Sequence, residues 1–131
     1  MEEEILLKEI RGIFDGEKMV VSDTCSILVP SNYASKSMLI AGTELVYRVT
    51  DQKSYFKQVH TPKTKTGIGR VIRFDDNLRV ELNSNGVVCY LLFLNAFETF
   101  YNLKEGDEVV FVYPEKLSRA EDNWCAIEAK L

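Results

Sequence analysis

The chain writes one pattern twice. Residues 25–49 read "CSILVPSNYASKSMLIAGTELVYRV" and residues 89–113 read "CYLLFLNAFETFYNLKEGDEVVFVY". Each window runs from a cysteine through an apolar stretch and an aperiodic segment to Leu-x-x-Gly, then Thr or Asp, a glutamate and a second apolar stretch. The two align without a gap, placing Cys25 on Cys89, Leu39 on Leu103 and Gly42 on Gly106. Ile27 and Leu91, Val29 and Phe93, Glu44 and Glu108, Leu45 and Val109, and Tyr47 and Phe111 keep the same character. A duplication of this kind restricts the chain to two modules of similar architecture. With 131 residues in all, each module lies near the lower size at which a domain buries enough surface to stand alone, so contact between them is favoured.

The pattern inside each module is that of strands: short runs rich in Val, Ile, Tyr and Phe, broken by turn residues, with no long helical period. The first half offers "EIRGIF", "KMVVSD", "CSILVP", "ELVYRV" and "SYFKQVH"; the second offers "GIGRVIRF", "NLRVEL", "GVVCYLLFL", "DEVVFVYP" and "NWCAIEAKL". "FDGEK" and "FDDNL" follow the first strand of each half, and "NSNG" reads as a tight turn between the next two strands of the second half. "SNYASKSMLIAG" and "NAFETFYNLKEG" are too long for hairpin loops and join the third strand to the fourth. Five strands with one long connection predict an all-β protein of two tandem five-stranded barrels. An OB-type Greek key and an SH3-like barrel both fit that count. The expected division is a barrel over 1–60, a basic linker over 61–68 and a barrel over 69–131.

Hydrophobic residues make up 46% and charged residues 27%, as in a folded soluble domain. The acidic opening "MEEEILLKEI" lacks the basic flank of a signal peptide, and no apolar run is long enough to cross a membrane, so an intracellular protein, cytoplasmic or nuclear, is expected. Three cysteines, Cys25, Cys89 and Cys125, with no CxxC pair and a single histidine, imply neither a disulfide framework nor a metal site. Cys25 and Cys89 read as small buried hydrophobes. No cofactor is expected.

Charge is unevenly spread along the chain. The net charge is −4, and the excess of carboxylates falls in the second half. From Gln52 to Phe74 there is no carboxylate, and Lys57, Lys63, Lys65, Arg70 and Arg73 stand there as the candidate contacts for nucleic-acid phosphates or an acidic partner. A solvated, lysine-rich connector is the plainer reading of the same residues. His60 has no spaced carboxylate or cysteine partner, and Asp75-Asp76 and Asp107-Glu108 read as turn chemistry. No nucleophile, phosphate-loop or metal spacing is present, so no enzyme is expected.

The second half carries one family likeness. "NLKEGDEVVFVYPEKLSRAEDNWCAIEAKL" resembles the end of a cold-shock domain through Leu103, Gly106, Asp107, Val109, Phe111, Ala126 and Ala129, and "GRVIRF" resembles its first strand. The likeness covers residues 69–131 and, through the internal repeat, residues 10–60 more faintly. It implies an OB fold and a place in RNA metabolism. Cold-shock domains bind single strands by stacking bases on aromatic rings of their second and third strands, each stack worth roughly 1–3 kcal/mol. Here those strands read "NLRVEL" and "GVVCYLLFL" in one half and "KMVVSD" and "CSILVP" in the other, without the family's aromatic motifs.

If Cys89, Leu91 and Phe93 point inward, Tyr90, Leu92 and Leu94 form an outward apolar row, fit for a protein partner or for the other half. The expected function is thus a protein-interaction adaptor in RNA metabolism or regulation, with weak non-specific RNA binding through the basic stretch. The alternatives are a direct single-stranded RNA or DNA binder, and a Tudor-like reader with an aromatic cage from Tyr33, Tyr47, Tyr55 or Phe56.

Overall fold

A computed structural model of the chain describes residues 3–84, 86–117 and 123–131. The first half supplies strands β1 (Leu6–Phe14), β2 (Lys18–Ser22) and β3 (Cys25–Leu28), helix α1 (Ser31–Lys36), and strands β4 (Glu44–Thr50) and β5 (Ser54–His60). The second supplies β6 (Thr64–Phe74), β7 (Asn77–Ser84) and β8 (Val87–Leu91), helix α2 (Asn95–Tyr101), and β9 (Glu108–Pro114) and β10 (Ala126–Lys130). Each of the ten apolar runs forms a strand. The protein is all-β, in two five-stranded antiparallel sheets.

The sheets have the same topology. Their orders are β3-β2-β1-β4-β5 and β10-β9-β6-β7-β8, so in each the fourth strand skips its predecessor and lies beside the first. Three meandering strands and a fourth returning to the first make a Greek key. Neither sheet closes into a barrel by continuous pairing: the third and fifth strands of each half are its edges. The basic linker expected over 61–68 is shorter than that, because β6 begins at Thr64 and only residues 61–63 lie between the sheets.

The long connections each contain a short helix that the sequence pattern does not announce. One amphipathic turn or two leaves too few positions for a 3.6-residue period, and helices this short depend on tertiary burial. Ala34 of α1 and Phe97 of α2 supply that burial. Both connections then end identically. Leu39 N–H donates to Ala34 O and Leu103 N–H to Glu98 O, each at 3.0 Å; Gly42 N–H donates to Phe14 O and Gly106 N–H to Val71 O, each at 2.7 Å. Gly42 and Gly106 adopt φ of 98° and 97°, a region that strongly favours glycine.

Those bonds set the true correspondence of the first strands. Phe14 answers to Val71, not to Phe74, and the echo of "FDG" in "FDD" is offset by three residues in space. Phe14 faces Met19 across the first hairpin and both are buried; Val71 faces Val80 across the second, equally buried. Phe74 instead sits at the tip of a longer hairpin, 41% exposed.

Each half has its own core. Phe14, Met19, Val29, Ala34, Leu39 and Leu45 form the first; Val71, Val80, Leu91, Phe93, Phe97, Phe111 and Ile127 lie in the larger second. The two are stitched together. Ile40, from the first half, is buried in the second core, and Leu94, from the second, packs against both. The Trp124 ring lies against Gly16, where any Cβ would collide with it.

Candidate binding surfaces

The third-strand edge ends differently in the two halves. In the second half, Leu92 N–H donates to Asn123 O and Cys125 N–H donates to Leu92 O, both at 2.8 Å. These bonds form a parallel bridge between Leu92 and Trp124, joining the end of β8 to the approach of β10. In the first half no such bridge joins β3 to β5 among the described residues. An opening of about 350 Å³ lies there instead, lined by Ile27, Leu28, Tyr33, Tyr47, Tyr55 and Phe56 among others.

The four aromatic residues considered for a reader cage thus do converge on one cavity. Their geometry is a shingle. Tyr47 stacks on Phe56 at 4.8 Å between centroids and 18° between planes, and Tyr33 stacks on Phe56 at 5.9 Å and 26°. The Tyr33 hydroxyl donates to Phe56 O, and the Lys53 ammonium sits 5.2 Å from the Tyr55 centroid. A cage for a cation needs ring faces turned toward one void. Here ring faces turn toward each other or toward Lys53.

Strand alternation holds for β8: Leu91 and Phe93 are buried, Tyr90 is 37% exposed. The row Tyr90, Leu92, Leu94 is nevertheless not one continuous patch. Leu94 is covered by both cores, Leu92 by the segment around Trp124, and Tyr90 stacks on Phe74 at 5.0 Å and 21°. Arg79 lies over Phe74, 5.2 Å from its centroid. Sequence reasoning missed this Arg79–Phe74–Tyr90 stack because its members come from three strands.

The basic candidates are all exposed but do not gather into one strip. Lys57 is on β5 and Lys63 lies in the connector, beside a cleft of about 880 Å³ between the halves that Pro62, Pro114 and Trp124 also line. Lys65, Arg70 and Arg73 are on β6. Arg70 is registered between Glu81 of β7 and Glu108 of β9, and Arg73 lies 3.8 Å from Glu105. The second half's carboxylates therefore return to the basic stretch in space.

The cysteines differ from expectation. Cys25 is exposed, Cys89 half-buried and Cys125 buried. Cys25 opens an edge strand and pairs with Ser22 across a bulge, beyond the reach of the core. His60 ends β5 opposite Glu44, exposed. Among the described residues no three His, Cys, Asp or Glu are arranged to hold a metal ion, and no helix is long and apolar enough to cross a membrane.

No family model, curated protein or solved structure matches the chain.

Proposed function

We propose that the chain is a non-catalytic tandem OB-type module, similar to cold-shock domains, that acts as a protein-interaction adaptor in RNA metabolism. The OB reading is supported by the Greek-key order in both sheets, by a helix between third and fourth strands, and by the parallel bridge between Leu92 and Trp124. A five-stranded OB barrel is partly open and Greek-key in connection, whereas a simple meander would pair third and fourth strands.

The observation that carries the adaptor reading is the character of the exposed surface. Leu28 is 76% exposed, Ile68 67% and Phe100 79%, on three different elements, in a protein whose Arg70 and Arg73 on β6 already have glutamates beside them. Exposed aromatic and aliphatic side chains fit protein partners better than phosphate. The test is affinity capture from lysate with the tagged full chain, with and without nuclease. Retention of a defined partner after nuclease supports the adaptor; loss of every partner on nuclease treatment refutes it.

A second reading, direct binding of single strands, is favoured by the exposed Tyr90 ring beside Phe74 and Arg79. One exposed ring supplies one stack, roughly 1–3 kcal/mol, which is too little for tight binding. Any RNA binding through Lys57, Lys63 and Lys65 is therefore weak, indifferent to base and steeply salt-dependent. Filter binding of an oligonucleotide across a salt series, with Lys63→Glu and Lys65→Glu, measures it. Submicromolar, base-selective binding that persists at high salt in that double variant would overturn the adaptor reading.

A further inference from the structure

The repeat supplies its own control for the opening beside Leu28. Pairing of Tyr47 with Phe56 and of Phe111 with Ile127 sets the register, so Lys53 answers to Trp124 and Ser54 to Cys125. Leu28 answers to Leu92, and Thr50 to Pro114. In the first half Thr50 N–H donates to Lys53 O at 2.8 Å and Lys53 N–H donates to Thr50 Oγ1 at 3.0 Å, closing a tight turn from β4 into β5. That turn holds Lys53 against β4 and away from β3. At the matching place in the second half stands Pro114, which has no N–H to close such a turn. There the connection spans residues 115–125, and its last part reaches across to Leu92.

One half therefore contains the strand segment that covers its third-strand edge, and the other half lacks it. Leu92 is half-buried beneath Asn123–Cys125; Leu28 is 76% exposed. By the alternation of strand backbone, the N–H and C=O of Leu28 face the open side as those of Leu92 do. An edge with unpaired backbone groups beside an apolar opening is a receptor for an added strand.

We propose that the first half binds an extended peptide of a partner protein in this opening, paired in parallel with Leu28 as Asn123–Cys125 pair with Leu92. The proposal rests on the adaptor reading and names its partner class. The peptide brings one large apolar side chain for the space among Ile27, Tyr47 and Phe56, in a cavity of the small-ligand class. Its flanks are acidic. Lys18 stands opposite Leu28 across the hairpin, and Lys53 precedes β5 with its ammonium over the Tyr55 ring that lines the opening. In sequence, the residues just before Asn123 are Glu121 and Asp122.

The test is an NMR titration of the isotope-labelled full chain with a synthetic peptide, "AEDNWSAI", which is residues 120–127 with serine in place of the cysteine. The expected result is saturable shifts at the Leu28 amide and the Tyr47 and Phe56 rings. Lys18→Glu with Lys53→Glu, both at exposed residues, should weaken binding about tenfold through lost charge complementarity, with the amide spectrum of the free variant showing that the fold is kept. No shift at millimolar peptide, shifts centred on the second half, or occupation of the opening by a second copy of the chain in sedimentation would each overturn the proposal. If Leu28→Asp abolishes peptide shifts yet leaves nuclease-resistant partner capture intact, the opening is not the partner's site while the adaptor reading stands. Loss of capture on nuclease with peptide binding unchanged leaves the opening a peptide site and removes the adaptor reading.

Discussion

Gly12 and Gly69 occupy one position in the two sheets: Gly12 pairs with Leu45 of β4 and Gly69 with Val109 of β9. Each is crossed closely by its neighbouring hairpin strand. A Cβ at Gly12 would stand 2.6 Å from Val20 O, and one at Gly69 would collide with Glu81 O. The first strand of each half is thus pressed against the second at the same place, and in both cases the obstructing atom is backbone.

Gly12→Ala and Gly69→Ala should therefore both destabilise, each by about 1–3 kcal/mol, the range for overpacking against backbone. Denaturant unfolding measures this. Gly69→Ala should cost more, because its Cβ would lie closer to the obstructing carbonyl oxygen than that of Gly12→Ala. Stability unchanged in both variants would remove the equivalence.

Leu94 and Tyr90 separate structural from surface roles on one strand and its extension. Leu94→Asp places a carboxylate between the two cores and should cost roughly 2–4 kcal/mol. Tyr90→Ala loses the stack on Phe74 and should cost no more than about 1.5 kcal/mol. Thermal melts of the two variants, run side by side, test the ranking.

Asp107 accepts the Lys104 N–H at 2.8 Å and pairs with Lys130 at 3.3 Å. Those partners, the backbone bond first, hold its carboxyl below the ordinary carboxylate pKa. A group depressed on folding stabilises above its unfolded value, about 3.9, and that contribution is lost as pH falls through the lower folded value. Asp107→Asn should lower the melting temperature at neutral pH, with the difference from the parent shrinking on acidification through and below the ordinary carboxylate range. A difference independent of pH would show the ionised form to be irrelevant.

The three cysteines should label in order. Cys25, exposed, reacts first with a maleimide, and Cys89 follows. Cys125 is buried, and burial pushes its thiol pKa up, so it should react only as the protein unfolds. Intact mass against time reads the order; early modification of Cys125 would contradict its burial.

Much of this was legible in residue order alone. A period-2 apolar run is a local property, and all ten such runs form strands, with the repeat of Cys25–Val49 in Cys89–Tyr113 announcing two like modules. Gly42 and Gly106, spaced alike, mark the entry to the fourth strand in both. What residue order could not decide is which segments meet. Phe14 and Phe74 share a local motif, but the bond to Gly42 or Gly106 fixes which first-strand residue faces the core, and Phe74 falls outside. Arg70 reads as part of a carboxylate-free stretch until register sets it between Glu81 and Glu108. The short helices emerge only from burial of Ala34 and Phe97. Most consequentially, Leu28 and Leu92 are the same residue in the same repeat position, and only the path of a distant segment covers one and leaves the other open. Periodicity is set by neighbours in the chain, whereas edges, charge neighbours and openings are set by pairings between residues far apart in it.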